Sequence, residues 1–371
     1  LRSVKEGASD LHIEPTETEL RIRIGNEGIL RKLLSLPKEI ADNLASVLKT
    51  RGNLNSFEKK KPQEGRFSLT VGSHQFDFRI NTMPVLMGER VALRIMEKNA
   101  TVANVEELGF TKESLEKFRL LLHKPSGLIL VTGPASSGKS TTVYAAVNDI
   151  QSVDKNIITV ENPVEYRLDF ASQVTTSTDK TFTIAEALRS ILRQNPNVIM
   201  LGEIRDAETG IVAAEAALTG NLVLSTMLSN NAVGTILRLL NLGIPAYWLA
   251  TTLAGIVYQQ LVRRVCDSCK EEYTPTEQEH FTFMTTVAGQ PKFYRGKGCA
   301  RCQSTGYRGR TAIHEILIVN DQMRDLIYQQ AGILKLKEAA RASGFENIFQ
   351  DAIKKVASGQ TTIAEFSRAL G

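Results

Sequence analysis

Two kinds of hydrophobic spacing divide the chain. In the first hundred residues apolar and polar positions alternate, in LRIRI (20–24), QFDFRI (75–80) and RVALRIM (90–96), as they do in strands with one buried face. LPKEIADNLASVLK (36–49) instead repeats at helical spacing. From Thr111 the pattern switches to continuous apolar runs: LILV (128–131), IITV (157–160), VIML (198–201) and LVLST (222–226). Helical stretches such as IAEALRSILRQ (184–194) and AETGIVAAEAAL (207–218) separate them. Buried runs alternating with helices predict an α/β domain built on a mostly parallel sheet covered on both faces. The expected organisation is a small α+β domain at 1–98, a polar linker at 99–110 and the α/β domain at 111–262. A cysteine-bearing element at 263–314 and a helical region at 315–371 follow.

The run LILVT leads into GPASSGKS, Gly133 to Ser140, which fits G-x-x-x-x-G-K-[ST], and a helix-compatible stretch comes after it. Strand, glycine-rich loop and helix in this order form the phosphate-binding P-loop. Gly133 and Gly138 let backbone N–H groups curl around an anion, and the helix start adds its positive end. The expected nucleotide-binding residues are Gly133, Pro134, Ala135, Ser136, Ser137, Gly138, Lys139, Ser140 and Thr141. Lys139 would reach the β/γ-phosphates of ATP, and the Ser140 hydroxyl would ligate Mg²⁺. Two further runs end in acids, Glu203 in VIMLGEIRD and Glu161 in IITVENPVEY, at the rim where open α/β sheets bind ligands. Either acid alone is equally a surface residue closing a strand; strands ending together at one rim favour Mg²⁺ and water chemistry.

The four cysteines form Cys266-x-x-Cys269 and Cys299-x-x-Cys302, with residues 270–298 between the pairs. Two such knuckles can close one tetrahedral Zn²⁺ site that leaves no open coordination position. A redox pair or two disulfides are the alternatives, and both fit a reducing compartment poorly.

Composition narrows the rest. With 42% hydrophobic and 23% charged residues, the chain is neither collagen-like nor disordered. A net charge of +5 over 371 residues gives weak support to nucleic-acid binding. No run reaches the about 18 apolar residues of a membrane span; the nearest stretch, Ile236 to Val262, is interrupted by Arg238 and Asn241. The start, LRSVKEGASD, has neither an initiator Met nor an apolar signal core, the pattern of a trimmed chain rather than an exported precursor. A cytoplasmic location is expected.

The stretches GPASSGKSTT, TVENPVEY, ALRSILRQNPNVIMLGEIRDAET, TGNLVLST and GCARCQSTGYRGRTAIHEIL resemble the secretion ATPase family, the motors of type II secretion and type IV pilus assembly. ASDLHIEP (8–15), PQEGRF (62–67) and MGERVALRI (87–95) resemble the family's first module, so the likeness covers essentially the whole chain. It implies a RecA-like P-loop core working as a homo-hexamer at the cytoplasmic face of the inner membrane. The implied partners are a membrane platform protein and a cytoplasmic docking protein, with no nucleic acid. Arg79 and Arg94 match arginines that reach the nucleotide in the family; taken alone they read as strand arginines in surface ion pairs. The implied roles are Glu161 on the attacking water, Glu203 on the metal and water shell, and Lys139, Arg79 and Arg94 on phosphoryl charge. The tetracysteine element matches too.

The chain departs from the family pattern at several positions. Asn162 replaces an Asp, Asn195 and Asn197 replace acids, and Asn221 stands where a His is usual. In STMLSNNA (225–232) the family's His is Leu228 and its following Asp is Asn231. Leu228 can neither donate a hydrogen bond nor carry charge. These departures support nucleotide binding more firmly than rapid hydrolysis, and they open a second reading, a nucleotide-binding regulatory relative. A nucleic-acid translocase on the same core is a third. The five histidines, 12, 74, 123, 280 and 314, form no ligand cluster. Tyr247 and Trp248 read as core, and Lys59–Lys61 as a solvated loop.

Overall fold

A computed structural model describes residues 2–26, 28–72, 74–97, 102–176, 181–277, 279 and 292–370. His280 and the linker residues 99–101 lie outside them. The chain divides into two compact units, Leu1–Thr101 and Val102–Gly371.

Among the described residues of the first unit, strands β1 (Asp10–Pro15), β2 (Leu20–Asn26), β3 (Ile29–Leu36), β4 (Gln63–Val71), β5 (His74–Val85) and β6 (Gly88–Glu97) form one sheet. Its order is β3-β2-β1-β6-β5-β4, all antiparallel. The period-two alternation puts Phe78, Ile80, Val91 and Leu93 on one face, against Ala45, Leu44 and Leu48 of the helix Ala41–Arg51. On the other face Arg66, Arg79 and Arg94 stand directly opposite one another across β4, β5 and β6.

The second unit holds strands β7 (Gly127–Gly133), β8 (Ile157–Glu161), β9 (Ser172–Thr175), β10 (Val198–Leu201), β11 (Leu222–Leu228), β12 (Leu253–Val265), β13 (Lys270–Tyr273), β14 (Phe293–Gly296) and β15 (Tyr307–Ile318). Seven of them form a sheet ordered β15-β12-β7-β11-β10-β8-β9, parallel throughout except for β15 against β12. Both faces are covered. Leu128 and Leu130 of β7 pack into one apolar core while Ile129 and Val131 pack into the other. The four predicted buried runs are the strands β7, β8, β10 and β11, and the predicted helix over 207–218 is observed as Ala207–Leu218.

Two expected boundaries, 262/263 and 314/315, fall inside β12 and β15. These strands pair from Gly255↔Ile318 to Val265↔Tyr307, and the C-terminal helices bury Leu336, Ala340, Ile348 and Val356 in the core of the parallel sheet. The last helix, Ile363–Leu370, is tied to β12 by Glu365, which is 0% exposed and accepts the Arg263 backbone N–H at 2.9 Å and its guanidinium at 2.7 Å. Among the described residues no helix is long and apolar enough to cross a membrane. The stretch Ile236–Val262 is split between the helices Ala232–Asn241 and Ala246–Thr252 and strand β12. Tyr247 does not join the core. It is 54% exposed, and Trp248 is half-buried, because this short helix turns Leu249, Ala250 and Thr252 inward.

Glu365→Ala leaves the mostly buried Arg263 guanidinium without its partner. The expected cost is about 3 kcal/mol, read by calorimetry as a fall of about 5 °C in Tm; an unchanged Tm would mean that this helix is not held through Glu365.

Candidate functional site

The loop after β7 takes a shape that side chains would block. Gly133 has φ 153°, and a Cβ there would run into the Gln259 carbonyl and the Ser137 side chain. Gly138, at φ 86°, opens the helix Lys139–Asp149, which has neither a side-chain cap nor an acid in its first turn. Its leading N–H groups are therefore available to an anion. Ser137 is buried, and its Oγ has no partner among the described residues. Pro134, Ala135 and Ser136 are exposed, with Ser140 and Thr141 half-buried at the helix start. Lys139 Nζ folds back to donate to the carbonyls of Pro134 at 2.7 Å and Gly133 at 3.3 Å. Partial burial lowers its pKa, while Glu203 and Glu165 pull the other way, so both acids project their charge onto this lysine. An anion-shaped turn with a buried orphan hydroxyl and a lysine on its rim fits a nucleotide's phosphates.

Glu203 follows β10 and is 21% exposed, its Oε2 accepting Arg205 Nε at 2.8 Å. Thr226 of β11 fixes this turn: its hydroxyl donates to Gly202 O at 2.7 Å, and its carbonyl accepts Ile204 N–H at 3.0 Å. Glu161 ends β8 as expected but is only 3% exposed. It accepts the Tyr144 hydroxyl on Oε2 and the Thr159 hydroxyl on Oε1, the latter at 2.6 Å. Desolvation raises its pKa against the pull of those bonds. Both Glu161 oxygens thus accept hydrogen bonds from within the chain, and each keeps a further lone pair.

Arg79 and Arg94 belong to the first unit. Arg94 Nε donates to Asp10 Oδ1 at 3.2 Å, and Glu64 stands 3.8 Å from Arg79 Nε, too far for a hydrogen bond. Like charges directly opposite one another repel, so the row Arg66–Arg79–Arg94 is under-neutralised by its acids.

The four cysteines come together as predicted. All are free thiols, and their Sγ atoms lie within 4.8 Å of one another. Cys266–Cys299, Cys269–Cys302 and Cys299–Cys302 stand at 3.9, 3.8 and 3.7 Å. A tetrahedron with Zn–S of about 2.3 Å has edges of about 3.8 Å, so the donor set fits that metal. Backbone N–H groups of Cys299 and Gly306 point at Cys302 Sγ at 3.1 and 3.3 Å. Desolvation pushes that thiol up, but these donors outweigh it and bring its pKa to about 6.

A family model described as type II/IV secretion system protein matches residues 2–368. The chain belongs to that family. It is 42% identical over 366 residues to the type II secretion system ATPase E of Vibrio cholerae, covering 99% of this chain and 73% of that relative. It is 39% identical over 362 residues to the type IV pilus assembly ATPase PilB of Thermus thermophilus, covering 97% of this chain and 41% of that relative. Among solved structures, the pilus retraction motor PilT with bound ADP superposes with a TM-score of 0.65 at 26% identity, covering 98% of this chain and 93% of that one. The Legionella pneumophila ATPase DotB shares the fold, with a TM-score of 0.70 at 20% identity over 99% of this chain and 92% of that one.

Against the secretion-family pattern, several departures have local structural jobs. Asn195 adopts a left-handed φ of 49°, Asn197 Oδ1 accepts Asn156 N–H at 2.7 Å, and Asn221 Nδ2 donates to Ala216 O at 2.7 Å. Asn231 caps the helix Ala232–Asn241 by accepting Gly234 N–H at 2.6 Å. Other residues escaped the sequence reading. Gln259, 1% exposed on β12, donates to Ser137 O at 2.7 Å and accepts the Thr142 hydroxyl at 2.8 Å, clamping the loop to its helix. Its only signal was a pair of glutamines, Gln259 and Gln260, inside a mostly apolar run. Tyr144 sat in a helical stretch that looked like ordinary core. His12 contacts Arg90 at 3.5 Å in a cluster with Glu14, His314 is buried against Phe110, and Lys59 pairs with Asp42 at 2.8 Å on the surface.

Gln259→Leu keeps the volume but strands the Ser137 carbonyl and the Thr142 hydroxyl. Titration with a fluorescent ATP analogue should show affinity falling about tenfold; unchanged affinity would mean that the loop holds its shape without the clamp.

Proposed function

We propose that this chain is an ATP-hydrolysing motor subunit that drives type II secretion or type IV pilus assembly. The observation that carries the reading is the anion-shaped loop Gly133–Lys139, with its uncapped helix start, in a chain 42% identical over 99% of its length to a type II secretion ATPase. In this reading the loop N–H groups bind the phosphates of ATP, and Lys139 exchanges the carbonyls of Gly133 and Pro134 for phosphate oxygens. Ser140 and Glu203 hold Mg²⁺, which when bound neutralises charge on the β- and γ-phosphates. Glu203, still open to the site, orients the attacking water. The resemblance to the secretion ATPases assigns Arg79 and Arg94 to phosphoryl charge as well.

The motor works as a homo-hexamer beneath the inner membrane, against a platform protein and a docking protein, and it handles no nucleic acid. The four cysteines hold a structural Zn²⁺ that keeps the lobe between β12 and β15 in shape. A regulatory relative that binds ATP and scarcely turns it over is the second reading. It is favoured by Leu228, which is 41% exposed beside Pro134 of the loop and offers no polar group there.

The first test is Mg²⁺-dependent ATP turnover by the wild type beside Lys139→Ala. Turnover that vanishes in the variant supports the motor; tight binding with turnover no better than the variant's supports the regulatory reading. A second expectation concerns metal. Elemental analysis should find one zinc per chain, and Cys302→Ser should lose it together with several degrees of Tm; full zinc content in that variant would place the metal elsewhere.

A further inference from the structure

Strand β15 carries a buried carboxylate with no ion-pair partner among the described residues. Glu315 is 4% exposed and lies directly opposite Tyr258 of β12, one residue along from the Gln259 clamp. Its oxygens accept two backbone N–H groups: Oε1 takes that of Ala232, and Oε2 takes that of Ile348 at 3.1 Å. These residues open the helices Ala232–Asn241 and Ile348–Ala357, and a helix leaves its leading N–H groups without partners of its own. Two positive helix ends therefore meet on one anion. Burial pushes the pKa of Glu315 up, and the two N–H bonds pull it back down. The two helices are not held alike. The one at 348–357 has further ties to β15, since Asp351 Oδ2 accepts His314 N–H at 2.8 Å and Lys355 Nζ donates to Ala312 O. The one at 232–241 buries Val233, Ile236 and Leu239 in the core. Apolar packing is non-directional, so the bond to Glu315 is what pins the first residue of that helix to β15.

The pinned helix lies beside the phosphate loop. Leu228 to Asn231, just before it, and Gly234 and Arg238 on it line a cavity of about 410 Å³ together with Pro134. Arg238 is exposed, and its guanidinium has no ion-pair partner among the described residues. We propose that Glu315 is a positioning residue: by pinning the start of the helix 232–241 it sets the Arg238 guanidinium in the cavity beside Pro134, where that cation attracts the phosphates of a nucleotide held by the loop. A guanidinium gains most from phosphate oxygens when its fork is held in place. The carboxylate acts at the first residue of the helix and the guanidinium sits on the same helix, so a shift of the helix start moves Arg238 with it. The same carboxylate ties this helix to the one at 348–357, so the C-terminal helices bear on the cavity through a single side chain. The nucleotide part of this inference rests on the ATPase reading; the pin does not.

A double-mutant cycle separates positioning from plain stability. Arg238→Ala and Glu315→Gln should each weaken the binding of a fluorescent ATP analogue about tenfold, measured below the Tm of every variant. The double variant should bind within about twofold of the weaker single, because both changes act through one guanidinium. A carboxylate that only stabilises the fold gives independent effects, with Glu315→Gln binding as wild type or the double variant down by the product, about a hundredfold. Either result overturns the proposal, as does an Arg238→Ala that binds like wild type. Hydrogen exchange reads the pin without nucleotide. Glutamine offers one acceptor oxygen in place of two, so at least one of the amides of Ala232 and Ile348 should exchange about tenfold faster in Glu315→Gln; unchanged exchange at both overturns the pin. Should Glu315→Gln fail to fold, the wild type supplies the test: the ATP analogue should slow exchange at Ala232 and Ile348 together, and slowing at neither, or at Ala232 alone, overturns the proposal. A wild type that binds no ATP analogue counts against the ATPase reading, and exchange in Glu315→Gln then decides the pin.

Discussion

The close approach of β12 to the end of β7 is the constraint on which the second unit depends. Gly133 brings its Cα to where the Gln259 carbonyl leaves no room for a side chain, and Gln259 then fastens both the loop and the helix after it. Each such buried bond contributes about 1 kcal/mol net, but leaving one unmade costs more. The same strand pairs with β15, carries Cys266 just past its end and holds the last helix through Arg263. The phosphate loop, the cysteine lobe and the C-terminal helices are therefore braced on one strand. That is why the boundaries expected inside β12 and β15 do not separate independent pieces.

What the sequence made legible was whatever is local. Buried runs of four or five residues between helices read directly as the parallel strands, and the strand–loop–helix order around Gly133–Ser140 read directly as well, because its parts are consecutive. The cysteines were legible for the same reason: two short knuckles carry their ligand spacing with them. Strands with mixed faces were harder. β3 is at most half-buried along its whole length and β4 alternates only between exposed and half-buried, so neither shows the apolar rhythm of β5 or β6. β12 read as an ambiguous apolar stretch because its partner, β15, is some fifty residues away and pairing at that distance leaves no periodicity to find.

The same distinction governs the site. Glu161 and Glu203 were found by position at strand ends, but position does not say which way a carboxylate points. Thr226 holds the turn before Glu203 in place and leaves that acid partly open. Tyr144 reaches from the neighbouring helix and donates its hydroxyl to Glu161. Gln259 and Tyr144 act through contacts between elements far apart in sequence, so no motif announces them.

The asparagines that replace acids and a histidine in the family pattern show how much of that pattern is scaffold. Asparagine tolerates the left-handed turn at 195 and caps the helix at 231, jobs that need a short polar side chain and no charge. Those exchanges leave the fold intact. Leu228 is different, because it keeps no polar function and lines a cavity with Pro134, Asn230, Asn231 and Arg238. A leucine there donates no hydrogen bond, which leaves Arg238 as the charged side chain of that cavity. The folded-back lysine is held by two backbone carbonyls, and the proposed binding of ATP would require its release from them.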